Sequence, residues 1–398
     1  MKNYLIIILL ASTVFGCSPD SDKGPKNISV DVSNIDAYVD QMALFKGPKN
    51  ISVDVSNIDA YVDQMALLNN KLKKRPNDIS LLLQSANLAL DNYDYSKALA
   101  DAAKAFRLDS NNVDTKLVYA LTIINQSNRS VADIRRAQHY FQNIIKVLPD
   151  DPKAMIGLAN TYVLQQDFEQ ARDWIDKTLA ISPKFFDAHV LKGSIYKVLS
   201  AALTGDEGSE TLSRAYMDSA IQTYARVSQY YPDRPETYVQ LGILYQQSGN
   251  KSCIDQFYSA VQLSPGNLDY MYALAYAYSL FNQERRAMVV YQEMQDLDSS
   301  YSEAYCQMGQ IYQKKYNELD SALYMYREVI SIDPNHVDAY VNMGVIYEAQ
   351  KQNTNALRSY AKALAILPED RSPFMSLKDF AINQGLARAY ADELKTKL

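Results

Sequence analysis

The sequence predicts an all-α protein in which about eight helical hairpins follow one another between residues 79 and 370. Three observations support this class. A pattern of about 34 residues recurs eight times, which is typical of a stack of helical repeats. Small residues recur at two places in each unit, and aromatic rings recur at two others. Proline follows six of the units, where it ends one helix and directs the chain into the next.

The small residues lie twelve places apart, which suits two helices that approach each other closely. The eighth place holds Ala86, Ala120, Ala159, Gly193, Gly242, Ala275, Gly309 and Gly344. The twentieth place holds Ala98, Ala137, Ala171, Ala220, Cys253, Ala287, Ala322 and Ala356. These positions predict a contact between the first and the second helix of each unit.

Aromatic residues at two further places account for much of the tyrosine content, which is 31 residues. The eleventh place holds Tyr162, Tyr196, Tyr245, Tyr278, Tyr312 and Tyr347. The twenty-fourth place holds Phe141, Tyr224, Phe257, Tyr291, Tyr326 and Tyr360. A metal-binding or catalytic tyrosine cluster is the alternative, but rings at this regular spacing favour a packed core.

These positions together resemble the tetratricopeptide repeat (TPR) family. The resemblance implies an α-α superhelix, a right-handed solenoid in which the first helix of each hairpin lines a concave groove. It implies eight units, at 79–112, 113–151, 152–185, 186–234, 235–267, 268–301, 302–336 and 337–370. It also assigns groove-facing places to Asn87, Asn160, Gln240, Tyr272, Tyr276, Gln307, Gln310 and Asn342. Amides both donate and accept hydrogen bonds, so these residues suit the backbone of an extended peptide, or else form an ordinary solvated face.

The N-terminus carries an export signal. Residues 1–16 have Lys2 followed by an apolar run too short to span a bilayer. The sequence "VFGC" at their end resembles a bacterial lipoprotein signal, which implies that Cys17 carries the lipid; a plain secretory signal is the alternative. Residues 17–55 read as a polar tether. We therefore expect a lipid-anchored protein of the bacterial cell envelope, with the outer membrane as its site.

A perfect repeat follows the signal. The 22 residues from Lys23 recur from Lys46 without a single change. Because this identity extends to polar positions that packing does not constrain, we interpret it as a recent duplication or an assembly artefact rather than as the working repeat. The second copy predicts an N-terminal capping helix over 56–78, with Asn57 as its cap. The first copy predicts either a loosely held helix or a disordered extension of the tether.

Two insertions and the C-terminus complete the organisation. The segments 127–136 and 200–214 lengthen the second and fourth units, either as loops or longer hairpins without a role or as partner contacts. Residues 371–398 predict C-terminal capping helices, which the exposed end of a solenoid requires.

Several classes of function are disfavoured. The net charge of −6 offers no basic field for nucleic acid. Neither a nucleophile with a nearby base, nor a phosphate-binding loop, nor a metal-ligand cluster is present, so we expect no enzyme activity, no cofactor and no small-molecule substrate. A glycosyl-transfer enzyme is the weakest alternative. Cys253 and Cys306 fall at different places of their units, so we expect no disulfide.

These observations predict a non-enzymatic interaction scaffold. We expect it to bind a peptide or helical segment of an envelope protein in its groove, and the membrane through its N-terminal lipid. The alternative is a structural component of an outer-membrane assembly, secretion or pilus machinery.

Overall fold

The computed structural model describes residues 55–203 and 207–366. Within these ranges the secondary structure is helical, without strands, and consecutive helices pair into hairpins, so the predicted all-α class of TPR hairpins is confirmed. We call the first helix of each hairpin its A helix and the second its B helix. The chain divides into two units, the first ending at Leu263 and the second continuing from Ser264.

The first unit contains one helix, α1, followed by five hairpins. The helix α1 spans Val55–Lys74 and packs on the first hairpin. The hairpins are α2 (Ile79–Asp91) with α3 (Tyr95–Leu108), α4 (Val113–Ile124) with α5 (Val131–Val147), α6 (Pro152–Leu164) with α7 (Phe168–Ile181), α8 (Phe186–Ala202) with α9 (Glu207–Tyr230), and α10 (Pro235–Gln247) with α11 (Cys253–Leu263).

Up to residue 366, where the description of the second unit ends, this unit shows three hairpins. They are α12 (Leu268–Leu280) with α13 (Glu284–Leu297), α14 (Ser302–Ile311) with α15 (Leu319–Ile332), and α16 (Val337–Ala349) with α17 (Asn353–Ile366). A π-helical segment, Tyr312–Tyr316, extends α14.

Side-chain caps fix where many of these helices begin. Asp151 accepts a hydrogen bond from the backbone N–H of Ala154 at 2.8 Å, directly before Pro152 at the start of α6. Ser130 and Asp133 form a capping box at the start of α5. Such caps satisfy backbone donors that have no partner inside the helix.

The aromatic rings of the twenty-fourth place are buried inside six of the hairpins, as predicted. All six are at most 1% exposed. Four of them pack against a glycine at the eighth place: a Cβ added to Gly193 would lie 2.7 Å from the ring of Tyr224, and one added to Gly344 would overlap the ring of Tyr360. At these glycines a ring occupies the space that a side chain would need.

The structure changes two expectations about segments. The helix α1 begins at Val55, so Asn57 lies inside it and is not its N-cap. The helix α8 extends to Ala202 and α9 has 24 residues from Glu207, so most of the insertion 200–214 lengthens the two helices of this hairpin instead of forming a loop.

Other predictions concern residues that the structure leaves undescribed. Cys17, the tether, the first copy of the duplication and the C-terminal capping helices 371–398 lie outside the described residues. Cys253 and Cys306 are both buried free thiols.

Candidate functional site

The A-helix face is the set of predicted groove positions on the A helices. The structure separates its eight residues into two groups. Half-buried side chains belong to Asn87, Tyr272, Tyr276 and Gln310. Buried side chains, 2% to 7% exposed, belong to Asn160, Gln240, Gln307 and Asn342. The second group is therefore too buried to form an ordinary solvated face, and the assignment of the eight residues to a partner-binding groove stays a prediction.

In the first unit, a buried lysine explains the position of Gln240. Lys197, on α8, is only 7% exposed, and its Nζ donates a hydrogen bond to Oε1 of Gln240 on α10 at 3.1 Å. Burial lowers the pKa of Lys197 to about 8. The amide of Gln240 thus solvates an internal cation, which limits its use as a contact for a ligand.

A buried carboxyl group lies in the first turn of α8. Asp187 is 8% exposed, and burial raises its pKa to about 6 although Arg234 and Lys153 act in the opposite direction. Asp187, Lys153 and Asn160 line a cavity of about 10 Å³, together with apolar side chains of α4 and α6. A cavity of this size holds roughly one water molecule, so it is too small for a peptide side chain.

In the second unit, the A-helix face is aromatic. The rings of Tyr272 and Tyr276 stack with centroids 6.2 Å apart and planes 17° from parallel. Gln307, on the next A helix, donates from Nε2 to the hydroxyl of Tyr272 at 3.2 Å. Tyr301 lies 6.1 Å from Tyr272, centroid to centroid. The predicted residues Tyr272, Tyr276 and Gln307 therefore do lie together.

One amide of this unit has an unused donor. Asn342 is 4% exposed, and its Nδ2 has no hydrogen-bond partner. A buried donor without a partner lowers the stability of the folded chain.

Sequence reasoning missed the two buried charges, Lys197 and Asp187. The sequence does contain a sign of them, because both lie in "FDAHVLKGSIYKV", where charged residues interrupt a mostly apolar helix. A charged side chain in such a helix is buried unless it reaches the surface, and it then needs polar groups from neighbouring helices.

Two further properties concern membrane-spanning helices and metal ligands. Within residues 55–203 and 207–366 we find no helix with the length and hydropathy needed to span a bilayer. Over the same residues, no three His, Cys, Asp or Glu side chains gather as metal ligands.

Comparison with known proteins gives the same family from sequence alone. Models of the tetratricopeptide repeat match residues 131–195, 302–336 and 325–358. No match was found among curated proteins.

Solved structures of similar proteins include MamA, with 27% identity over 41% of this chain and 95% of that one, at a TM-score of 0.35. They also include YrrB, described as a TPR protein with an unusual peptide-binding site, with 21% identity over 51% of this chain and 97% of that one, at a TM-score of 0.37. A third is the C-terminal part of a TPR repeat-containing protein from Cytophaga hutchinsonii, with 15% identity over 66% of this chain and 99% of that one, at a TM-score of 0.49.

The hairpins, the ring-against-glycine packing and the three family matches lead to one conclusion. This chain contains tetratricopeptide repeats, which the family models match at residues 131–195, 302–336 and 325–358.

Proposed function

We propose that this protein is a non-enzymatic scaffold for protein–protein interaction, anchored by lipid in the bacterial cell envelope. Its A-helix face binds a peptide or a helical segment of an envelope protein. TPR proteins bind peptides or other proteins, and their repeats are generally interaction modules rather than catalysts, which supports this class of function.

The observation that carries the proposal is the stacked pair Tyr272 and Tyr276. Both rings are half-buried on an A helix and stack on each other, and Gln307 donates a hydrogen bond to the hydroxyl of Tyr272. Aromatic side chains held in this way give a large contact area at a low cost in conformational entropy, and they are enriched at the centres of interfaces. The half-buried amide of Gln310, on the next A helix, supplies polar groups for a partner's backbone.

The test is a crosslinked pull-down from membranes, read by mass spectrometry. We would compare wild type with Tyr276→Ala/Gln310→Ala and with the control Tyr324→Ala, a tyrosine on a B helix that is 56% exposed. We expect one or more partners to disappear with the double variant and to remain with the control. If the recovered proteins are the same for all three, the A-helix face of the second unit does not bind the partner.

The lipid anchor has its own test. Labelling with radioactive palmitate should mark wild type and a Cys253→Ala variant but not Cys17→Ala, because Cys253 is buried in α11. Equal labelling of the Cys17→Ala variant would exclude this residue as the attachment site. Release of the unlabelled variant into the soluble fraction would support anchoring through Cys17.

A second candidate function is a fixed structural part of an outer-membrane assembly, secretion or pilus machinery. It is favoured by an apolar residue, 36% to 67% exposed, at the end of each B helix of the first unit; these are Leu108, Val147, Ile181, Tyr230 and Leu263. Exposed apolar residues repeated in this way suit a permanent interface. A complex of constant stoichiometry that survives detergent, and also persists in the Tyr276→Ala/Gln310→Ala variant, would support this candidate over the first.

A further inference from the structure

The first hairpin carries a docking surface for α1, and two side chains of α1 make its specific contacts. The hydroxyl of Tyr61 donates to Oδ2 of Asp94 at 3.0 Å, while the other oxygen of Asp94 caps α3. Met65 is 8% exposed, and its sulfur accepts a hydrogen bond from Ser85 Oγ at 3.4 Å. Met65 also joins an apolar cluster with Ala89 of α2. The surface thus recognises a tyrosine and a methionine four residues apart on one helix face.

The duplicated segment supplies that pair twice. Residues 23–44 repeat residues 46–67 without change, so Tyr38 and Met42 correspond to Tyr61 and Met65. The position after the duplication differs, but it holds an apolar side chain in both places, Phe45 and Leu68. Every contact that the second copy makes through Tyr61 and Met65 is therefore equally available to the first copy.

We propose that the surface formed by Ser85, Ala89 and Asp94 receives either copy, and that the two copies exchange on it within one chain. The second copy is the occupant in the structure. The contacts through tyrosine and methionine are the same for both copies, so they do not explain why the second copy is the one docked. Two other effects favour the second copy. Docking the first copy adds 23 residues to the chain that links the docked helix to α2, and the entropic cost of that loop grows only with the logarithm of its length.

Contacts beyond the duplication also favour the second copy. The helix α1 continues past residue 67 to Lys74, and Leu72 in this part is half-buried. The first copy is instead followed by Gly47 and Pro48, which do not continue a helix. Both effects are modest, so the first copy is a minor but accessible occupant.

The exchange changes the reach of the N-terminus. When the first copy docks, the segment before the docked helix is shorter by 23 residues, which corresponds to a contour length of about 80 Å. In a chain anchored near its N-terminus, the docked copy would set how far the hairpins extend from the anchor.

A disulfide trap in the full chain tests this exchange. Ser85→Cys is combined with Met42→Cys to trap the first copy, or with Met65→Cys as the positive control for the second. The matched negative control is Ser85→Cys with Gln41→Cys. Gln41 corresponds to Gln64, which is exposed on α1, and it lies one residue and so about 100° around the helix from Met42. Cys17 is replaced by Ser throughout, while Cys253 and Cys306 are buried and remain.

We expect the Met42→Cys pair to crosslink within the monomer at least about tenfold faster than the Gln41→Cys pair, read on non-reducing gels and by peptide mapping. Adding Met65→Lys, which places a charge in the apolar cluster, should raise the yield of the Met42→Cys crosslink up to about tenfold by displacing the resident copy.

Three results would overturn the proposal. Equal rates for Met42→Cys and Gln41→Cys would mean that the segment only collides with the surface. A crosslink found only in dimers would place the exchange between chains. A yield unaffected by Met65→Lys would show that the two copies do not compete for one surface.

Discussion

The A helices of the first unit bury charged side chains, whereas those of the second unit carry a face of stacked rings and amides. Lys197 and Asp187 both lie on α8 and are less than 9% exposed, and Lys197 donates a hydrogen bond to Gln240 on α10. Tyr272 and Tyr276 are half-buried on the second face.

Beneath these two faces the hairpins are built alike. In the first unit Tyr224 packs against Gly193, and in the second Tyr326 packs against Gly309; in each pair a Cβ on the glycine would lie 2.7 Å from the ring. The difference teaches that the contact inside each hairpin holds the repeats together, while the A-helix face is free to vary in chemistry. This division is what a family of interaction modules requires.

The largest expected effect tests the shared packing. Tyr224→Ala and Tyr326→Ala each remove a ring that is at most 1% exposed, so each should lower the free energy of unfolding by about 3–5 kcal/mol. Urea unfolding followed by circular dichroism would measure both losses. Tyr324→Ala, at a side chain 56% exposed, is the control and should change stability by no more than about 0.5 kcal/mol. A loss in one unit without a matching loss in the other would break the equivalence of the two cores.

A smaller effect is expected from the partner of each ring. Gly193→Ala and Gly309→Ala place a methyl group where a ring already lies, and overpacking of this kind costs about 1–3 kcal/mol. Alanine is otherwise the better helix former by about 1 kcal/mol, so a net loss of stability isolates the steric term. Unfolding midpoints of the two variants should fall together. If either variant is more stable than wild type, the ring in that hairpin is able to move away.

The contrast between core and face also explains what the sequence could predict. The small eighth place and the ring of the twenty-fourth place could be predicted because the first recurs in eight units and the second in six. The burial of Asn160 and Gln240 could not be predicted from the sequence, because it depends on how closely neighbouring helices approach each side chain. For the same reason Lys197 and Asp187 were missed, since each is placed by residues on other hairpins.

The backbone conformation of the turns between A and B helices could not be predicted from the sequence either. A residue with left-handed backbone occurs in six of these turns, and only one of them is glycine; they are Tyr93, Gln166, Gly249, Asn282, Asn317 and Lys351. Tyrosine, glutamine and lysine are not typical turn residues, and the left-handed conformation costs each of them about 1 kcal/mol. The packing of the hairpin therefore imposes the turn against local preference.

The buried carboxyl group of Asp187 in the first unit predicts a pH dependence that the second unit need not share. The pKa of Asp187 is about 6 in the folded chain and near 4 when unfolded, so between these values the folded state holds the extra proton. Stability should therefore fall as the pH rises from about 4 to about 6.

The Asp187→Asn variant lacks this titration and sharpens the test. At pH 7 it should be more stable than wild type by about 3 kcal/mol, a figure that already includes the attraction of Arg234 and Lys153, and the difference should vanish near pH 4. Urea unfolding at a series of pH values measures it. A constant difference across this range would mean that Asp187 does not titrate between pH 4 and pH 6.

The smallest expected effect concerns the aromatic face of the second unit. Tyr272→Phe keeps the ring beside Tyr276 but removes the hydroxyl that accepts from Gln307, which is 7% exposed. A buried donor that loses its acceptor costs about 1 kcal/mol, so unfolding should shift slightly, whereas Tyr324→Phe should leave it unchanged.

Partner recovery in the membrane pull-down separates two roles for this hydroxyl. If the hydrogen bond only positions the ring for apolar contact, Tyr272→Phe should retain more of the partner than Tyr276→Ala does, because the stacked surface remains. If Tyr272→Phe loses the partner as completely as Tyr276→Ala, the hydroxyl itself contacts the partner. In that case the A-helix face of the second unit would recognise polar groups as directly as apolar ones, and it would differ from the A helices of the first unit in carrying exposed neutral groups rather than buried charges.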